Sequence, residues 1–191
     1  MKQFDHKYWD ERYLSNETGW DAGTVTTPLK EYFDQLENKD LKILIPGAGS
    51  AYESEYLQKL GFNNVFVADI SPVAVEQMKK RLNKNLHILL ADFFEIDEKF
   101  DLIIEQTFFC ALHPSQRKDY VSKAYSLLNK NGKIAGVLFD REFPDGPPFG
   151  GSIEEYRTLF SEKFKIKTLE KCYNSIKPRM GSEVFFILEK I

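Results

Sequence analysis

Short apolar runs recur through the middle of the chain, and most of them are followed by a stretch with helical spacing. This alternation restricts the fold more than any other feature. Residues 41–45 (LKILI) form an apolar run that stops at Pro46-Gly47, and residues 51–60 then place Tyr56, Leu57 and Leu60 one helical turn apart. Residues 65–68 repeat the apolar run and stop at Asp69. Ser71-Pro72 opens a helix with Ala74, Val75, Met78 and Leu82 on one face, proline being favoured just inside a helix start. Further runs at 86–90, 100–104 and 133–139 predict three more strands. His113-Pro114-Ser115 begins the helix that carries Val121, Ala124, Leu127 and Leu128, and Asn131-Gly132 turns out of it. Parallel strands need crossover connections, so the pattern predicts an α/β, Rossmann-like, doubly wound sheet with helices on both faces.

The two ends of the chain break the alternation. Ser152 with Glu155 three residues later is a capping box for a helix to about residue 161. The runs at 164–169 and 184–188 have no helix between them, so they are expected to close a seven-stranded, mostly parallel sheet as an antiparallel hairpin. Before the first strand, Thr27-Pro28 opens a helix reaching Leu36. Residues 4–23 are rich in aromatics and glycine and read as irregular. A single domain over 1–191 is expected, with 1–38 as a helical, lid-like extension, because 191 residues suit one domain.

Composition narrows the function. The net charge of −3 speaks against nucleic acid as a partner, which would want a basic face. No run approaches the roughly 20 apolar residues of a membrane span, and no apolar leader segment occurs at the start. Two cysteines, Cys110 and Cys172, form no paired framework, so a cytoplasmic, reduced setting is expected. A monomer acting on a small molecule is the expected form. Three histidines and two cysteines without ligand spacing predict no metal site.

Ligands of open parallel sheets bind beyond the carboxyl ends of the strands. The first such loop, 45–52, holds Gly47 and Gly49, which permit a tight turn and close backbone approach. Asp69 follows the second strand, 20 residues after Gly49 (69 − 49), where an acid can accept from both hydroxyls of a ribose. It can equally be an ordinary cap for the helix at Ser71. Asp92-Phe93 follows the third strand, where a carboxylate can accept from an adenine amino group and an aromatic can cover the ring. A dinucleotide would want a small residue at the third fingerprint position, and Tyr52 stands there.

Several segments together resemble the thiopurine S-methyltransferase-like family of class I S-adenosylmethionine-dependent methyltransferases, and within it the halide/thiol methyltransferase branch. They are Tyr8-Trp9-Asp10-Glu11-Arg12-Tyr13 with Thr18-Gly19-Trp20-Asp21-Ala22-Gly23, then Ile45-Pro46-Gly47-Ala48-Gly49, then Thr107-Phe108-Phe109-Cys110-Ala111-Leu112-His113-Pro114, and Gly146-Pro147-Pro148-Phe149. The resemblance implies S-adenosyl-L-methionine as cofactor. Trp9, Tyr13 and Trp20 would line it, Gly47 would lie against its methionine part, Asp69 would take ribose, Asp92 with Phe93 would take adenine, and Gly49 also belongs to the expected cofactor site. Gln106 would sit near the sulfonium. Tyr13, Gln106 and Ala48 depart from the Trp, Tyr and Cys common in relatives.

The implied reaction is direct, in-line methyl transfer to a small soft nucleophile: a thiol, a thiopurine-like group, or a halide or thiocyanate ion. Such acceptors demand no strong base, and the sequence offers none. Candidates for the acceptor pocket are Gln106, Phe109, Cys110, Arg141 and Phe149. Cys110 is read as pocket lining or core, not as a nucleophile, and His113 as a helix-start residue. Alternatives are a different O- or N-acceptor, an NAD-dependent oxidoreductase, and a protein that binds the cofactor without catalysis.

Overall fold

The computed structural model describes residues 4–82 and 86–191. Residues 1–3, which the extension 1–38 includes, lie outside the described part. Seven strands form one sheet: β1 (Ile43–Pro46), β2 (Val65–Asp69), β3 (His87–Leu90), β4 (Phe100–Gln106), β5 (Leu128–Phe139), β6 (Phe164–Lys171) and β7 (Glu183–Lys190). Their order is β3-β2-β1-β4-β5-β7-β6. The first five run parallel, and β7 lies antiparallel between β5 and β6. The expected doubly wound sheet with its carboxyl-terminal hairpin is therefore present.

The strands carry apolar residues on both faces because both faces are covered. Ile43, Ile45, Val65, Val67, Leu102 and Ile104 point to one core, and Leu44, Phe66, Ala68 and Ile103 to the other. The first core is closed by α2 (Thr27–Asp34), α3 (Tyr52–Lys59) and α4 (Pro72–Arg81) through Leu29, Phe33, Leu57, Val75 and Met78. The second is closed by α5 (Arg117–Leu127) and α6 (Ile153–Ser161) through Tyr120, Val121, Ala124, Tyr156 and Phe160. The Ser152 hydroxyl accepts from the Glu155 N–H at 3.2 Å, the hydroxyl half of the expected capping box.

Three local readings change. Residues 6–14 are helical, not irregular: α1 (His6–Leu14) is started by Asp5, whose carboxylate accepts from the Tyr8 N–H at 3.1 Å. Leu128 belongs to β5, paired with Phe100, not to the preceding helix. His113 caps a single 3-10 turn, Pro114–Gln116, before α5 begins at Arg117.

Strand order reverses between β1 and β4, since one half of the sheet is built outward from each. A crevice must open there, between the loops that leave the carboxyl ends of these two strands. Helix α1 and the segment to Thr26 lie over it. Asp10 of α1 accepts from the Ser71 hydroxyl at 2.5 Å and the Val73 N–H at 3.2 Å, so α1 adds to the cap of α4. From the far end of the chain, Arg179 donates to the Trp20 carbonyl at 2.6 Å. Among the described residues no helix is long and apolar enough to cross a membrane.

Candidate active site

A cavity of about 500 Å3 occupies the crevice. Four strand ends supply its floor: Gly47 after β1, Ala68 to Ile70 at β2, Ala91 to Phe94 after β3, and Thr107 with Phe108 after β4. Phe4, Asp5, Trp9, Tyr13 and Trp20 of the amino-terminal segment close it from above, and Ala111 to His113 form a side wall.

The glycine loop has the backbone its residues suggested. Gly47 and Gly49 adopt φ +56° and +51°, which favours glycine. A side chain at Gly47 would also run into Phe108, and one at Gly49 would meet the Tyr13 hydroxyl at 2.9 Å. Asp69 is buried at the end of β2. One oxygen accepts from the Gly49 N–H at 3.0 Å and the other from the Ser71 N–H at 2.9 Å. The residue is thus a helix-side cap and a clamp on the glycine loop at once. A carboxylate offers about four acceptor positions, so two remain for a ligand. Burial raises its pKa, against the backbone N–H groups that lower it. Asp92 accepts from the Phe94 N–H at 2.9 Å, and Phe93 lies buried, stacked 5.4 Å from Tyr120.

Trp9, Tyr13, Trp20, Gly47, Asp69, Asp92 and Phe93 line this one cavity, while Gly49 and Gln106 line a smaller recess beside it. The tryptophan rings meet edge to face at 5.5 Å, and Tyr13 meets Trp20 at 5.8 Å. The acceptor-side candidates scatter. Phe109 is 1% exposed and packs on Tyr120, Tyr156 and Phe160. Cys110 is buried and donates to the Thr107 carbonyl at 3.3 Å, and burial pushes its thiol well above the usual range. Arg141 is exposed over Phe143. Phe149 stands behind the wall, edge-on to Phe4 at 5.7 Å and to His113 at 5.4 Å.

The reading of single residues passed over Thr107 and Glu105. Thr107 has φ +61°, costly for a β-branched residue by about 1–3 kcal/mol, and it sits where the cavity and the recess meet. Glu105 holds this turn. Its buried carboxylate accepts from the N–H groups of Phe108 at 3.0 Å and Phe109 at 2.8 Å and from the Tyr120 hydroxyl at 3.0 Å. Burial pushes it up to about 7. No sequence pattern marks such a residue, since only the fold places its partners around it.

Charge decides what the cavity suits. Asp5, Asp69 and Asp92 line it, with aromatic faces, and no lysine or arginine lines it among the described residues. Three carboxylates make such a lining a poor host for a pyrophosphate. A nucleoside carrying a positive sulfonium finds carboxylates for its ribose and base and rings for its charge. A sheet of order β3-β2-β1-β4-β5-β7-β6 with β7 antiparallel and this cavity at its switch point fits a class I S-adenosylmethionine-dependent methyltransferase. The chain belongs to the thiopurine S-methyltransferase family, whose model matches residues 4–190. It is 30% identical to the probable thiol methyltransferase 2 of Arabidopsis thaliana over 92% of this chain and 81% of that one. It is 24% identical to a thiopurine S-methyltransferase of Acinetobacter baylyi over 87% and 88%. The fold also matches the Burkholderia thailandensis 1,6-didemethyltoxoflavin N1-methyltransferase, solved with S-adenosylhomocysteine. The TM-score is 0.77 at 16% identity, over 97% of this chain and 86% of that one. The family match removes the oxidoreductase alternative.

Proposed function

We propose that this chain transfers a methyl group from S-adenosylmethionine directly to a small soft nucleophile: a thiol, a thiopurine-like group, or a halide or thiocyanate ion. One observation carries the reading. The acceptor side of the cavity, formed by Phe4, Phe108, Ala111, Leu112 and His113, is mainly apolar. Of the titratable groups beside it, His113 already uses Nδ1 to accept from the Ser115 N–H at 3.2 Å, and Asp5 accepts from the Tyr8 N–H at 3.1 Å. The thiol nearest to it, Cys110, is buried and held as a donor. A wall without a positioned base suits acceptors that need none.

When bound, the cofactor supplies a methyl group already activated on sulfur, so the acceptor needs only a lone pair in line with it. Asp69 holds the ribose and Asp92 with Phe93 the adenine, while the glycine loop lets the backbone lie close. Gln106, fixed by the Thr26 hydroxyl at 2.5 Å, stands beside the reacting end. Trp9, Tyr13 and Trp20 exclude water and offer ring faces to the positive charge, each cation–π contact contributing about 0.5–2 kcal/mol. Orientation of the two reactants can supply roughly 7–11 kcal/mol of the barrier. Within a single domain, we read the described part of the 1–38 extension before α2 as the cover of this site, α2 itself packing on the sheet. The partner is a small molecule and not nucleic acid, in keeping with the net charge of −3.

The test is a methyl-transfer assay across iodide, thiocyanate, alkyl thiols and thiopurines, with an amine and a phenol beside them. Turnover of a soft acceptor is expected. Turnover of the amine or phenol alone would overturn the reading.

A further inference from the structure

The recess beside the main cavity measures about 50 Å3 and shares Trp20, Gly47 and Thr107 with it. One water needs about 10–15 Å3 by this measure, so the recess admits a small polar group of several atoms. Two carboxylates line it, Asp21 and Glu53. Those of Asp21 are occupied: one oxygen accepts from the Gly23 N–H at 2.7 Å and the other from the Ser50 hydroxyl. Glu53, the second residue of α3, is 8% exposed; its carboxylate meets its own backbone N–H and makes no ion pair among the described residues. The cations that bear on it are engaged elsewhere. Arg81 pairs with Glu55 at 2.6 Å, and Arg179 donates to the Trp20 carbonyl and faces Glu183 at 3.5 Å. A buried carboxylate that meets only its own backbone N–H keeps most of its acceptor positions open and uncompensated by a cation, and points to a ligand that completes it.

We infer that Glu53 receives the ammonium group of the cofactor's methionine end, an inference that rests on the main cavity being the S-adenosylmethionine site. The geometry supports the polarity. Asp69 and Asp92 line the cavity that takes the nucleoside, and the recess, which they do not line, adjoins that cavity at Gly47. An amino-acid end is a zwitterion and needs a carboxylate and a donor together. Gln106 lines the same recess, and with its Oε1 taken by Thr26 its amide nitrogen is left to donate. Burial pushes Glu53 up to about 7 against the bond from its own backbone N–H, helped by Asp21 from the amino-terminal segment and opposed by Arg179 from the carboxyl-terminal loop and Arg81 from α4. Below that pH the carboxyl is neutral and a poor partner for ammonium, so cofactor affinity rises as pH approaches 7 from below.

Calorimetry on the full chain tests this with two ligands: S-adenosylhomocysteine and its analogue lacking only the α-amino group. The natural protein should bind the analogue about ten- to a hundredfold more weakly, the range of one charge-assisted hydrogen bond. Glu53→Gln should lose a similar factor for S-adenosylhomocysteine and none for the analogue. Equal discrimination by the variant overturns the inference and leaves the cofactor site standing. Failure of the natural protein to bind either ligand overturns both. A second measurement needs no variant. From about pH 6 to about pH 7 the natural protein's affinity for S-adenosylhomocysteine should rise severalfold, with the analogue flat. Flat profiles for both ligands also overturn it.

Discussion

Asp69 carries two duties that a substitution can separate. Its oxygens tie the glycine loop to the start of α4, and the residue also lines the cavity. Asp69→Ala should weaken S-adenosylhomocysteine binding by about 1.5–3 kcal/mol or more, as loss of a charge-assisted bond does, and should also lower the Tm. Calorimetry and thermal unfolding read the two effects, and unchanged affinity would leave Asp69 a structural clamp only. Cys110 presents the opposite case. Its thiol is buried, bonded to a carbonyl and pushed far toward the neutral form, so Cys110→Ser should keep substantial methyl transfer. A folded, cofactor-binding serine variant without activity would contradict direct transfer.

At the scale of elements, two parts build the site. The turn after β4 is held by Glu105, and its truncation would leave two backbone N–H groups and the Tyr120 hydroxyl without an acceptor. Each such loss costs about 1–3 kcal/mol, so Glu105→Ala should unfold at clearly lower temperature and let Thr107 relax from its strained φ. The second part is α1 with the segment to Gly23. Both tryptophans line the cavity from it, so S-adenosylhomocysteine should change the intrinsic fluorescence. Removal of this segment should leave a folded sheet with weak cofactor binding and little activity, because no strand of the core pairs with it. Its loss exposes the start of α4, which Asp10 caps, and should lower the Tm modestly. Turnover by the shortened chain at the full rate would reduce the segment to packing.

For the whole molecule, buried acids set the pH dependence of stability. Glu53 and Glu105 are both held at about 7 by burial, above the ordinary value near 4.3. A carboxyl whose folded pKa is raised favours folding while neutral, so its contribution declines as pH climbs from about 4.3 to about 7. The ligand-free protein should therefore unfold more readily at pH near 8 than at about pH 6. Glu53→Gln should raise the ligand-free Tm near pH 8, by up to about 3 kcal/mol at roughly 2–4 °C per kcal/mol, and change it little near pH 5. Equal effects at both pH values would mean that Glu53 is not buried as a charge. Bound cofactor offsets the penalty through mass action.

Local chemistry alone settles much of this protein. Strand and helix runs follow from the spacing of apolar residues, the left-handed turn at Gly47 and Gly49 from the lack of a β-carbon, and the position of Asp69 from the end of a run. These features depend on neighbours within a turn or two, so the doubly wound sheet and its glycine loop were legible. Helix α1 was not, because it is held by one capping acid and by ring contacts to Trp20, without an apolar stripe. Nor could adjacent residues tell that Phe108 lines the cavity while Phe109 enters the core, since a 3-10 turn stabilised by Glu105 decides it. The bond from Thr26 to Gln106 spans 80 positions and that from Arg179 to Trp20 spans 159. The recess around Glu53 exists only where these distant segments meet, and burial there, which no short stretch encodes, turns an ordinary surface-type glutamate into a carboxyl poised near neutrality.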